Sequence, residues 1–223
     1  PALAFMLFVT FLQVPLAELR VAFSRFRFLG VLLLTNFVVI PVLIGALIQF
    51  LPPDPMIRLG VLLVLLAPCI DYVVTFSHLG RADARLLLAA TPALLIIQMI
   101  MLPVYLGLFL GPEAGSFVKA GPFVHAFVKS VVGARATSVL GLLPVPATAL
   151  VLFVVVAAVV PQLGPALDDT FRVVPIYVAY AVIAPLAGWG MSRLFRLDAP
   201  AGRAVAFSAA TRNSLVVLPL AFA

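Results

Sequence analysis

The chain has 223 residues, of which 65% are hydrophobic and only 10% charged, with a formal net charge of +6 and a mean hydropathy of +1.26. Soluble domains are about 45–50% apolar and about 25% charged, so this composition excludes a soluble domain and specifies an integral membrane protein. No basic run interleaved with aromatics points to nucleic acid, and a single cysteine excludes an internal disulfide or a multi-cysteine metal site.

The apolar runs are continuous rather than alternating, which argues for membrane helices over a β-barrel. Nineteen prolines and fourteen glycines fit that class, because neighbouring helices re-satisfy the freed backbone groups. In chain order the predicted apolar segments are 1–17, 28–51, 56–76, 86–110, a weak fifth at 117–132, then 146–163, 171–195 and 201–223. Together they make one transmembrane domain over 1–223. The chain opens at Pro1 inside one apolar stretch and closes at Ala223 inside another. We therefore expect a longer protein with further terminal helices.

The fifth segment is interrupted by Lys119, Gly121, Pro122, His125 and Lys129, whereas a span needs about 20 apolar residues. Charge argues that it crosses. Arg20, Arg25, Arg27, Arg81, Arg85, Arg135, Arg193, Arg196 and Arg203 then share one side, against Arg58, Lys119 and Arg172 on the other. That is the positive-inside pattern of a multi-pass protein of the inner (plasma) membrane.

The third segment contains Leu-Ala-Pro-Cys-Ile-Asp-Tyr-Val-Val at 66–74. An aspartate at mid-depth costs about 2.5–3.5 kcal/mol on insertion scales, so Asp71 is expected to be paired or used. Pro68 removes a backbone donor beside Cys69 and disturbs the helix there. The eighth segment runs in the opposite direction and carries Thr211, Arg212, Asn213 and Ser214 at mid-depth, with Pro219 beyond. Two interrupted helices at matching places in antiparallel halves point to an inverted-repeat transporter with a midplane site, although no identity links the halves.

Cys69 is a candidate soft ligand, suited to Cu(I), zinc or trivalent arsenic rather than sodium; the plainer alternative is a small buried hydrophobe. In an unbroken helix Asp71 would lie roughly 200° round from Cys69, so both line one cavity only if the backbone unwinds. Asp71 is either a proton-coupling carboxylate or half of a structural ion pair. Arg212 is its candidate partner, an anion clamp, or a fixed charge standing where a cation would otherwise bind; snorkelling to the interface is the alternative. Asn36, Gln98 and Tyr105 fit interhelical glue, with Asn36 also a possible site ligand. His78 and Trp189 are expected at the interface, and His125 receives no role. The chain has no Walker loop, no nucleophile elbow, no His-Glu-x-x-His and no base–nucleophile pair, so an enzyme and a nucleotide-driven pump are both disfavoured and no cofactor is expected.

Asn36 within Leu-Thr-Asn-Phe-Val-Val-Ile-Pro, then Leu-Ala-Pro-Cys-Ile-Asp, Ser77-His78-Leu79 and the Asp83 loop resemble the arsenite-efflux permeases of the bile acid:sodium symporter superfamily. The likeness runs from the first to the fourth segment, is weak over 113–144 and returns in the last two segments. It implies an all-α, ten-helix inverted-repeat secondary transporter with two discontinuous crossing helices, here the third and eighth segments, and terminal helices missing. It also implies that Cys69 matches the cysteine needed for arsenite. Ser208 and Arg212 fall where sodium-coupled relatives carry a glutamate and a glutamine. Leu215 falls where arsenite exporters carry a glutamate, for which Asp71 could substitute.

The resulting expectation is a transporter that exports arsenite in exchange for protons. Cys69 is its metalloid ligand, Arg212, Asn213 and Asn36 line the substrate site, and Asp71 couples. The alternative is transport of a small organic anion clamped by Arg212, with or without sodium. A membrane scaffold is a third class.

Overall fold

The computed structural model describes residues 25–69, 72–111, 153 and 167–212. The predicted first and fifth segments, all of the sixth except Phe153, and the candidates Asp71 and Asn213 lie outside them.

Every regular element among the described residues is helical. Helix α1 (Phe26–Leu34) passes through a π-helical turn (Thr35–Val39) into α2 (Ile40–Leu47), which ends in a 3-10 turn (Ile48–Phe50). Helix α3 (Pro55–Leu66) follows, then α4 (Tyr72–Leu79), α5 (Ala84–Leu110), α6 (Leu167–Leu194) and α7 (Ala199–Ala210). Three stretches are long and apolar enough to cross a bilayer: Phe26–Phe50, Ala84–Leu110 and Phe171–Leu194, of 25, 27 and 24 residues. They coincide with the predicted second, fourth and seventh segments.

Local chemistry explains the boundaries. Asp54 caps α3 by accepting from the backbone N–H groups of Met56 (2.8 Å) and Ile57 (3.1 Å), with Pro55 at the first helical position. Asp83 caps α5 through the Leu86 N–H (3.1 Å). Within the first span, Pro41 has no N–H to offer the carbonyl four residues back, that of Phe37. The Tyr105 hydroxyl, on α5, donates to that carbonyl. The tyrosine is thus the interhelical glue expected of it, and its partner is a backbone group that proline leaves exposed.

Contacts fix which helix ends lie together. The Arg27 guanidinium donates to the Phe195 carbonyl (2.5 Å), and that of Arg203 to the Arg81 carbonyl through Nε (3.0 Å) and Nη2 (2.5 Å). The Asp83 N–H donates to Pro200 (3.1 Å), and Arg25 approaches Asp198 at 3.9 Å. The start of α1, the end of α4, the start of α5 and the α6–α7 turn therefore form one arginine-rich end. Arg58 sits at the other, donating to Pro52 (2.9 Å).

Outward faces are apolar. Ile96, Ile100, Val104 and Leu108 form a four-residue stripe along α5, and Val174, Val178, Val182 and Leu186 form another along α6, all exposed. Stripes of that kind suit hydrocarbon as solvent. Inside, one apolar cluster gathers Phe28, Leu32, Phe37, Cys69, Val73, Leu87, Leu94 and Val205 toward the arginine-rich end. A second gathers Ile40, Ile44, Leu62, Leu66, Leu106, Tyr180 and Ala209 toward the other. Helices α6 and α7 pack as a close hairpin. A Cβ on Gly188 would lie 2.9 Å from the Ala206 Cα and 2.9 Å from the Ala209 Cβ, the kind of small-residue contact that lets membrane helices approach.

Candidate functional site

The two clusters meet where α3 and α7 stop. Pro68 disfavours helical geometry at the residue before it, and Ala67 is extended at φ −92°, ψ 104°. The expected interruption of the third segment is therefore present, and Cys69 follows in non-helical backbone before α4 resumes at Tyr72. The eighth segment breaks at Thr211, extended at φ −89°, ψ 130°. Pro219 lies beyond the described residues.

These two extended pieces pair with each other. Pro68 and Arg212 form an antiparallel bridge, and the Cys69 N–H donates to the Thr211 carbonyl (3.2 Å). Backbone groups freed by both breaks thus satisfy one another inside the bundle, as a bilayer interior demands. The helices approach from opposite ends: α3 starts beside Arg58, α7 beside Asp198.

Cys69 is buried, 1% exposed, and packs with Phe37, Val73, Leu87 and Leu94. Its own backbone is non-helical. Among the described residues no group of three His, Cys, Asp or Glu side chains gathers to hold a metal.

Arg212 does not snorkel. Its Nη2 donates to the Ala209 carbonyl (2.8 Å), its Nε donates to the Tyr180 hydroxyl, and its guanidinium carbon stands 5.5 Å from the Tyr180 ring centroid. The Tyr180 hydroxyl in turn donates to the same Ala209 carbonyl (2.7 Å). Tyr180, 3% exposed, was not among the candidates. A phenol in the middle of an apolar segment is a usable signal, since a buried O–H needs a partner. The Arg212 Nη1 is buried without a hydrogen-bond partner among the described residues.

Asn36 lies in the π-helical turn, 1% exposed. Its Nδ2 donates to Leu32 O (3.0 Å) and to Ser208 Oγ (3.0 Å) on α7, while its buried Oδ1 has no partner among the described residues. A π-turn inside a helix frequently accompanies function. The structure thus brings Cys69, Thr211 and Arg212 together at the crossing and ties Asn36 to α7 one turn before it. Trp189 is half exposed near the arginine-rich end, with Arg193 5.2 Å from its ring centroid, as an interfacial anchor would be. His78 is exposed just before the same end. A separate cavity of about 180 Å³ at that end is lined by Arg25, Arg27, Phe28, Arg196, Leu197 and Asp198, away from the crossing.

A family model described as the sodium bile acid symporter family matches residues 1–131, more than half of the chain. The chain belongs to the sodium bile acid symporter family. Membership makes it a membrane transporter and not an enzyme, with a small-molecule substrate and a bilayer as its surroundings. No curated protein matches the chain. Within the sodium bile acid symporter family, the branch, substrate and coupling ion are matters for proposal.

Proposed function

We propose that this transporter exports trivalent arsenic, as arsenite, across the inner (plasma) membrane in exchange for protons, using an inverted-repeat fold whose broken helices are α3–α4 and the α7 segment. The observation that carries the proposal is the position of the only thiol, Cys69, on the unwound strand that pairs with Thr211. Arsenite is soft and thiol-seeking, which matches a lone cysteine there better than it matches any oxygen-rich cation site.

The chemistry balances with one sulfur. The Cys69 thiol displaces one hydroxyl of arsenous acid, forming one As–S bond, and the hydroxyl leaves as water with the thiol proton. Addition of water reverses the step on the far side. A single thiol contact is weak enough to release cargo, whereas three would trap it. Asp71 follows two residues on and is our candidate for the proton-coupling carboxylate. Protonation there would bias one bundle to rock against the other, the motion by which inverted-repeat carriers alternate access. Arg212, Asn213 and Asn36 complete the proposed site.

A host sensitive to arsenite should grow on it when it carries the full-length protein. Cys69→Ser should abolish that growth at unchanged protein level. Growth equal to wild type would remove sulfur from the mechanism.

A second reading rests on the buried Nη1 of Arg212, which has no hydrogen-bond partner among the described residues. A guanidinium nitrogen in that condition suits a carboxylate, so a small organic anion is the rival cargo. Inhibition of uptake by small carboxylates, with indifference to arsenite, would favour it.

A further inference from the structure

We infer that the Arg212 guanidinium is a tethered cation that takes the place of a coupling sodium ion at the helix crossing, so that this member of the family works without sodium. The inference rests on the crossing and on family membership, and it is indifferent to which substrate is carried.

Helices α3 and α7 end at Leu66 and Ala210, and the bridge between Pro68 and Arg212 brings those two C-termini to one place. Each C-terminus carries about half a negative charge and carbonyls that lack an intrahelical donor. In the low-dielectric middle of a bundle such a place calls for a positive charge. A bound metal cation is one solution, and the family's description as a sodium symporter names it.

This chain supplies a different one. Arg212 lies on the crossing itself, with Nη2 on the Ala209 carbonyl at 2.8 Å. Tyr180 holds the guanidinium in place by accepting from Nε and lying beside it. The same phenol donates to Ala209 O at 2.7 Å, so the carbonyl a metal would use already has two donors. Nη1 is buried as well. A sodium ion entering here would meet a fixed like charge with little water to screen it. A tethered charge also cannot leave with the substrate, so the step from empty to loaded carrier no longer requires ion capture.

The test is thermal unfolding of the full-length protein in detergent, with sodium chloride exchanged for N-methylglucamine chloride at constant ionic strength. Wild type should unfold at the same temperature in both. Arg212→Lys, which keeps the charge, should also ignore sodium. Arg212→Gln should unfold earlier and recover saturably with sodium but not with N-methylglucamine. A saturable sodium stabilisation of wild type would overturn the inference, as would an Arg212→Gln protein that folds and ignores sodium. Should Arg212→Gln fail to accumulate, wild type and Arg212→Lys decide, and a sodium response in either sinks the idea. No arsenite enters the measurement, so its outcome is separate from that of the Cys69 experiment.

Discussion

Asn36 is the residue whose environment is hardest to explain by packing alone. Its Nδ2 serves two acceptors, one of them Ser208 on α7, while its Oδ1 is buried with no donor among the described residues. Leaving a buried acceptor unsatisfied costs about 1–3 kcal/mol, and a residue kept only as glue would be expected to avoid that. An interhelical hydrogen bond in a membrane protein is worth about 0.6 kcal/mol on average and up to about 1.7. We therefore predict that a double-mutant cycle of Asn36→Ala and Ser208→Ala, read by thermal or denaturant unfolding, gives a coupling within that range. Transport should divide the two residues. At matched protein level Asn36→Ala should lose more export than Ser208→Ala, because only the asparagine brings the unsatisfied oxygen. Equal transport by both variants would reduce Asn36 to a tie between α1 and α7.

At the scale of elements the fold depends on how closely α7 can lie against α6, because that distance sets where Thr211 and Arg212 meet Pro68 and Cys69. Gly188 is a point of close approach, with backbone of α7 where a Cβ would go. Gly190, two positions on, has nothing within 4 Å of its own missing Cβ. Gly188→Ala should destabilise by about 1–3 kcal/mol, the usual cost of overpacking, and should reduce transport by shifting the crossing. Gly190→Ala should change neither, and unfolding curves of the two variants separate the cases. Much of this arrangement was legible in the residues. Pro68 marks the break in the third segment because proline acts on its own neighbour, and the spans at 28–51, 86–110 and 171–195 show as plain apolar runs. The break in the eighth segment was legible as a polar patch with Pro219 beyond it, but the pairing of Thr211 with a strand more than a hundred residues away was not. The roles of Tyr180 and Gly188 were not legible, because one depends on where an arginine side chain turns and the other on how near a neighbouring helix lies.

At the scale of the whole molecule, charge sorts the two ends. Arg25, Arg27, Arg81, Arg85, Arg193, Arg196 and Arg203 belong to helix ends that contact one another or follow directly from them, while Arg58 lies at the opposite end of α3. Near an anionic cytoplasmic leaflet each such basic group is worth about 1 kcal/mol, so the asymmetry favours one insertion strongly over the other. We therefore predict that the arginine-rich end is cytoplasmic. That orientation would also set the direction from which substrate meets the crossing, with α7 reaching it from the cytoplasmic side and α3 from the outer side. Single cysteines in a Cys69→Ser background test it with a membrane-impermeant maleimide. Arg85→Cys, at an exposed position in the first turn of α5, should be protected in intact cells and react in everted vesicles. Pro53→Cys, at an exposed position between the first span and α3, should react in intact cells. The reverse pattern would place the arginines outside, and the proposed export would have to become uptake through the same crossing.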